Sequence, residues 1–253
     1  MITNDELHNA INAELDKAEA IWAEVSPHFI MERNETFSNA TGEIPSKIPG
    51  FRKLKINEPE VADFIALILD IRGSSKNLMV AISEKDANVS QLPRVFFETT
   101  ALYTAGALII ENYKGGITEY LGDGFLALFK IEGKDQEVVY NAYYAAQKCL
   151  STTNEVVNAI LKQRYRLPPL NIGIGMAYSR AIVTIVGTNE NLHAKAIGEC
   201  VYRASKLSNG MNEILIDKPL KLIWPKTKDG PISFSSWANS FGFDAFKLTK
   251  KTR

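Results

Sequence analysis

From the amino end, the chain sets Leu7, Ile11, Leu15, Ala18, Ile21, Trp22 and Val25 at helical spacing behind Thr3 and Glu6. That spacing puts the apolar residues on one face of a helix, and a Thr followed three positions later by Glu satisfies the first free amides reciprocally. Pro27 closes this helix. The next stretch, ERNETFSNATGEIPSKIPGFRKLKINEPE, is polar and carries three prolines and two glycines. It reads as a loop or linker, because so long a run without its own periodicity is unusual inside a compact domain. The boundary falls near residue 55: residues 1–54 form a helix and an irregular extension, and residues 55–253 form the folded core.

Beyond that boundary the pattern alternates. DFIALILD (63–70) is a short continuous apolar run, as a buried strand requires. Residues 76–86 and about 91–113 read as helices, and FLALF (125–129) as a second strand. Residues 135–163 predict a long helix with Val138, Val139, Ala142, Ala146, Leu150, Val157 and Ile160 on one side. After Pro168 and Pro169 come LNIGIGM (170–176) and AIVTIVG (181–187), two strands separated by a turn. ECVYRASKLS (199–208) is helical, EILI (213–216) is a strand, and a last strand is expected around AFKLT. The order predicts an α+β domain, a sheet with helices on one face. There is no internal repeat.

Composition adds exclusions. Lys plus Arg and Asp plus Glu are both 29, so the formal charge is zero and gives no support to nucleic-acid or membrane binding. The basic tail KLTKKTR reads as solvated. Cys149 and Cys200 have neither metal-ligand nor disulfide-framework spacing, which fits a reducing, cytoplasmic compartment. No signal-peptide pattern and no run of 18 apolar residues occurs, so no membrane span is expected and the sequons at Asn34, Asn39 and Asn88 carry no glycosylation meaning. The three histidines, His8, His28 and His193, lack motif context, which argues against zinc hydrolase or triad chemistry.

Candidate chemistry sits at the strand ends. Asp70 closes the first strand, and Asp123 lies 53 residues later in YLGDGFLALF, between Gly122 and Gly124. If that turn joins a hairpin bordering the first strand, the two carboxylates meet at one sheet edge. Hard oxygen ligands of this kind suit Mg²⁺ or Mn²⁺, commonly held by one or two carboxylates plus substrate phosphates. Glycines on either side permit a sharp turn and the approach of a bulky anion. Taken singly, GDG is also an ordinary hairpin turn and Asp70 an ordinary helix cap.

Four segments occur in order: LILDIRGSS, EYLGDGFLALF, NIGIGMAYSRAIVTIVG and AIGECVYRASKLSNG. Together they resemble the signature segments of class III nucleotide cyclases, over about residues 60–216. The resemblance implies a ferredoxin-like catalytic domain with an antiparallel or mixed sheet, acting as a head-to-tail homodimer with sites at the interface. It implies that Asp70 and Asp123 bind two Mg²⁺ or Mn²⁺ ions, with the carbonyl of Ile71 as a further ligand. It also implies the reaction: the ribose 3′-hydroxyl of a nucleoside triphosphate attacks its own α-phosphorus, and pyrophosphate leaves.

The same alignment of motifs exposes departures. Glu119 stands where adenylate cyclases usually carry Lys and guanylate cyclases Glu, and Lys195 where those families place Asp or Cys. Tyr202 takes the place of the ribose-positioning Asn. Lys206, or Arg203 one turn earlier, takes the place of the transition-state Arg; a lysine meets the α-phosphate as a point charge rather than a fork. Lys247 is the nearest match to a late phosphate-binding lysine. Glu119 as acceptor and Lys195 as donor suit uracil N3–H and O4, with cytosine and guanine as competitors and adenine a poor fit. Alternatively the two only pair with each other, and Tyr202 either stacks on a base or packs within its helix. A stand-alone cyclase with an altered base pocket is similar to the pyrimidine cyclases of bacterial Pycsar antiphage systems, whose cyclic UMP or cyclic CMP activates a separate effector protein. Competing expectations are a guanylate or adenylate cyclase of ordinary signalling and a catalytically dead, cyclase-like binding domain.

Overall fold

The computed structural model describes residues 2–25, 43–74, 87–133, 136–188, 191–226 and 230–250. The helix expected over 76–86, the sequons Asn34 and Asn39, and His28 lie outside the described residues.

Helix α1 (Asn4–Val25) starts as its sequence predicts. Thr3 N–H donates to Glu6 Oε2 at 2.8 Å, and Glu6 N–H donates to Thr3 Oγ1 at 3.2 Å. The Thr3 N–H and, at 2.9 Å, its hydroxyl both donate to the Glu6 carboxylate and hold it below its ordinary pKa. Leu7, Ile11 and Leu15 are fully buried, each contributing about 2 kcal/mol relative to exposure. They share one core with the sheet and with helix α2 (Gln91–Asn112). Arg164 ties α1 down further, reaching Asp16 at 2.5 Å and Glu19 at 2.9 Å.

The segment read as a loop contains a small hairpin, β1 (Glu43–Pro45) and β2 (Lys53–Lys55), in antiparallel register. The main sheet is built from β3 (Glu60–Ile71), β4 (Gly116–Leu121), β5 (Gly124–Ile131), β6 (Ile172–Thr188), β7 (Asn191–Gly198), β8 (Glu213–Asp217), β9 (Ile232–Trp237) and β10 (Ala245–Lys250). Its order is β4-β5-β3-β6-β8-β10-β9, with β7 hairpinned to β6. The β6–β8 pair is parallel and the other pairs are antiparallel, so the sheet is mixed.

Three expectations need correction. Residues 172–188 form one strand, not two with a turn between, because β3 pairs β6 without a break from Glu60↔Val183 to Ile71↔Ile172. The polar residues that suggested a turn have partners of their own: the Tyr178 hydroxyl donates to Asp63 at 3.2 Å, and its N–H to Asp217 at 3.3 Å. The helix over 135–163 is present but runs as α3 (Glu137–Thr152), a π turn (Thr153–Val157) and α4 (Asn158–Tyr165). Finally, helices do not keep to one face. α1 to α4 cover the face of Ile65, Leu67 and Leu69, whereas α5 (Glu199–Leu207) packs Cys200 and Ala204 on the face of Phe64, Ala66 and Leu128. Gly175 permits that approach, since a Cβ there would lie 2.1 Å from the carbonyl of Ala204. A short helix, α6 (Lys218–Ile223), follows β8.

Candidate active site

The β3–β5 ladder decides where the aspartates go. Asp70 stands opposite Gly124, and Asp123 precedes Gly124 in the two-residue turn between β4 and β5. The Ile71 N–H donates to the Asp123 carbonyl at 2.9 Å, so Asp70, Ile71 and Asp123 meet at one strand end. Neither Gly122 nor Gly124 adopts the left-handed conformation. Gly124 is required for another reason: a Cβ there would sit 2.0 Å from the Leu69 carbonyl oxygen. Gly122 faces open space.

The charge of Asp123 opposes the ionisation of Asp70. Burial, then the neighbouring charge of Asp123, raises the Asp70 pKa to about 6, against a smaller lowering by Arg72. Arg72 Nη1 lies 2.8 Å from Asp70 Oδ2 and 3.4 Å from the Ser208 carbonyl. Ser74 donates to Asp123. Tyr103 donates to the Leu121 carbonyl beside the turn, and burial raises its pKa. Two half-buried carboxylates pressed together are the donor set that a hard divalent cation relieves. Among the described residues no cluster of three or more acidic, His or Cys groups surrounds a metal position. A cation there would need further oxygen ligands from the backbone or from a bound anion.

Two further groups form away from the aspartates. Lys195 on β7 places Nζ 2.6 Å from Oε2 of Glu119 on β4, with the side chains 34% and 27% exposed. Glu119 follows a register shift in the β4–β5 ladder between Ile117 and Glu119. The pair borders a groove of about 340 Å³ that Tyr120 and His193 also line. On α5, Tyr202 is 58% exposed, and the ammonium of Lys206, one turn on in the same helix, lies 5.5 Å from its ring centre. Arg203, one position beyond Tyr202, turns inward. It contacts fully buried Asp217 at 3.4 Å and Glu199 at 2.5 Å. Asp217 also caps α6 through Leu220 N–H at 3.0 Å. Lys247 pairs with Glu213 at 2.8 Å.

The structure thus assembles Asp70, Ile71 and Asp123; Glu119 and Lys195; and Tyr202 and Lys206. Among the described residues no hydrogen bond or ion pair links these three groups. Sequence reasoning missed Arg72 and Ser74, although both lie in the DIRGSS segment, and it missed Asp217, whose burial no local pattern announces.

Comparison with solved structures places the fold. The chain matches the adenylyl cyclase CyaB from P. aeruginosa with a TM-score of 0.62 and 18% identity, covering 78% of this chain and 98% of that one. It matches the guanylyl cyclase Cya2 with a TM-score of 0.59 and 18% identity, covering 75% and 91%. The guanylate cyclase domain of RhGC from Catenaria anguillulae, solved with GTP, gives 0.57 and 14%, covering 76% and 100%. The fold is therefore that of the class III nucleotide cyclase domain. No protein-family model and no curated protein sequence matches the chain.

Proposed function

We propose that the protein is a metal-dependent nucleotide cyclase that converts a nucleoside triphosphate to a 3′,5′-cyclic nucleotide and pyrophosphate. The observation that carries this reading is the meeting of Asp70 and Asp123 at one strand end of a class III cyclase fold. A fold kept only for binding has no need of a half-buried carboxylate held against a second one that disfavours its charge.

Asp70, Asp123 and the Ile71 carbonyl would hold two Mg²⁺ or Mn²⁺ ions. Such ions acidify the attacking hydroxyl and neutralise the phosphates. In the reaction the ribose 3′-oxygen forms a bond to the α-phosphorus and loses its proton, the bond from the α-phosphorus to the bridging oxygen breaks, and pyrophosphate departs. Lys206 supplies positive charge toward the α-phosphate, and exposed Tyr202 offers a face for stacking. Arg203 is held by Asp217 and Glu199, which favours Lys206 as the catalytic cation. The separation of the three groups within one chain fits a head-to-tail homodimer in which one chain supplies the aspartates and its partner Glu119, Lys195, Tyr202 and Lys206.

The substrate is a pyrimidine triphosphate, UTP ahead of CTP. Uracil N3–H donates to Glu119 while O4 accepts from Lys195, so neither charge is left unpaired on binding. Guanine offers O6 and N1–H in the same order, which makes GTP the second reading. The product would be a messenger that activates a separate effector protein in antiphage defence, in the cytoplasm. Among the described residues no helix is long and apolar enough to cross a membrane. Pyrophosphate release from a mixture of the four triphosphates tests the activity. It is expected with Mn²⁺ and should vanish on chelation; release that persists in chelator would refute a metal-dependent cyclase.

A further inference from the structure

The groove beside Glu119 and Lys195 has a wall that the cyclase motifs do not supply. Pro45 at the end of β1, and Ser46, Lys47 and Ile48 from the connection to β2, line it with Thr118, Glu119 and Tyr120. This hairpin precedes β3 and comes from the segment that reads as a linker. It is nonetheless firmly seated. Ile48 and Leu54 are 2% exposed and pack with Phe64, Leu126 and Leu128 on the sheet face that also carries α5. The Lys130 ammonium lies 4.7 Å from the Phe51 ring centre. Ser46 N–H donates to the Arg52 carbonyl at 2.9 Å, and Ile48 N–H to Ser46 Oγ at 3.0 Å. The Lys47 carbonyl rests against Gly116, where a Cβ would come within 2.5 Å of it. The backbone at Lys47 is thereby fixed, while its side chain is exposed and makes no ion pair with any described residue.

We infer that Lys47 is a third base-contacting residue, and that the β1–β2 hairpin makes the pocket selective for uracil. This rests on Glu119 and Lys195 reading the base, as proposed above. One acceptor and two donors then line a single groove. Uracil presents the complement along one edge: O4 accepts, N3–H donates and O2 accepts. Lys195 would serve O4, Glu119 N3–H and Lys47 O2. Each of the other bases fails at one position or more. Guanine places its 2-amino donor where Lys47 also donates. Cytosine presents its amino donor to Lys195 and a bare ring nitrogen to Glu119. Adenine has no carbonyl for either lysine. A donor that the bound base covers and that then faces another donor loses its bond and keeps its desolvation cost, which is how polar pockets discriminate. Lys47 thus separates uracil from guanine, which Glu119 and Lys195 alone do not.

The test uses the full chain with Mn²⁺ and the four 3′-deoxynucleoside triphosphates, which cannot cyclise, with affinity measured by calorimetry. Lys47→Ala should weaken 3′-deoxy-UTP about tenfold, the loss of one hydrogen bond to a charged group, and leave 3′-deoxy-GTP no weaker, or tighter, as the donor facing its 2-amino group is removed. Lys47→Arg should restore most of the uridine affinity, and both variants should melt like the wild type. Equal losses for all four nucleotides would make Lys47 a phosphate contact, and no loss for any would remove it from the pocket; either overturns the inference. If the wild type cyclises a triphosphate but shows no uridine preference in binding, the inference fails while the cyclase reading stands. If no nucleotide binds, both fail.

Discussion

The Ile71 amide donates to the Asp123 carbonyl across 2.9 Å, and this main-chain bond joins the turn that carries Asp123 to the end of β3, beside Asp70. The backbone of Asp70 is held by its ladder position opposite Gly124, so the place of the residue does not depend on the Arg72 ion pair of its side chain. Asp70→Ala and Asp123→Ala should therefore keep the fold and lose turnover by at least about a hundredfold, each removing a hard oxygen ligand. Asp70→Asn should also raise the melting temperature of the metal-free protein at pH 7.5, because burial and Asp123 both disfavour the charge it removes. Circular dichroism melts beside activity assays check both; a variant with near-full activity would end the metal assignment.

Acidity gives a second expectation. Asp70 titrates at about 6 in the fold against an ordinary value of 3.8. The folded state therefore binds more protons between those values, and metal-free stability from this group falls as pH rises from about 4 to about 6 and is level above. Divalent cations need the carboxylate, so Mn²⁺ affinity should climb over the upper part of that range, with proton release on binding near pH 5.5 and little at pH 7.5. Calorimetry in buffers of different ionisation enthalpy measures the protons; an affinity flat from pH 5 to 7.5 would contradict the pairing.

Arg203 and Lys206 lie one turn apart on α5 and should behave differently. Arg203→Ala leaves buried Asp217 without its guanidinium, at a cost of about 2 kcal/mol of stability, moderated by the backbone donors that remain. Lys206→Ala touches only an exposed ring contact, so stability should stay within about 0.5 kcal/mol while kcat falls. Denaturant titrations and steady-state kinetics separate the two. A stable, inactive Arg203→Ala with a fully active Lys206→Ala would reverse the assignment.

Complementation examines the dimer. An Asp123→Ala chain mixed with a Lys206→Ala chain should recover partial activity, since one of the two composite sites in a heterodimer is then intact. No recovery in a demonstrated heterodimer would mean that each site is assembled within one chain.

Much of this was legible in the sequence where burial is continuous. The runs of β3 and β5 are buried along most of their length, and the Thr3–Glu6 box marked the start of α1. Edge and hairpin strands were not legible. β4 and β7 are half exposed and carry Glu119, His193 and Lys195, so no apolar run announces them. Tyr178 and Arg180 looked like a turn because their partners, Asp63 and Asp217, are distant in the chain. The hairpin at 43–55 was hidden by its prolines, although Ile48, Phe51 and Leu54 anchor it. The aspartate pair could be anticipated because a two-residue turn fixes it; the Glu119–Lys195 ion pair, seen at 2.6 Å, was one of two alternatives in the sequence, because it depends on how β6 and β7 return.

The most direct test of the cyclase assignment is to incubate the purified protein with equal concentrations of ATP, GTP, CTP and UTP plus Mn²⁺ and to identify the products by mass. A predominant 3′,5′-cyclic UMP, formed with one equivalent of pyrophosphate and absent in Asp123→Ala, is expected. A predominant cyclic GMP or cyclic AMP would overturn the pyrimidine reading, and no cyclic nucleotide from any of the four, with the protein folded and dimeric, would contradict the cyclase itself.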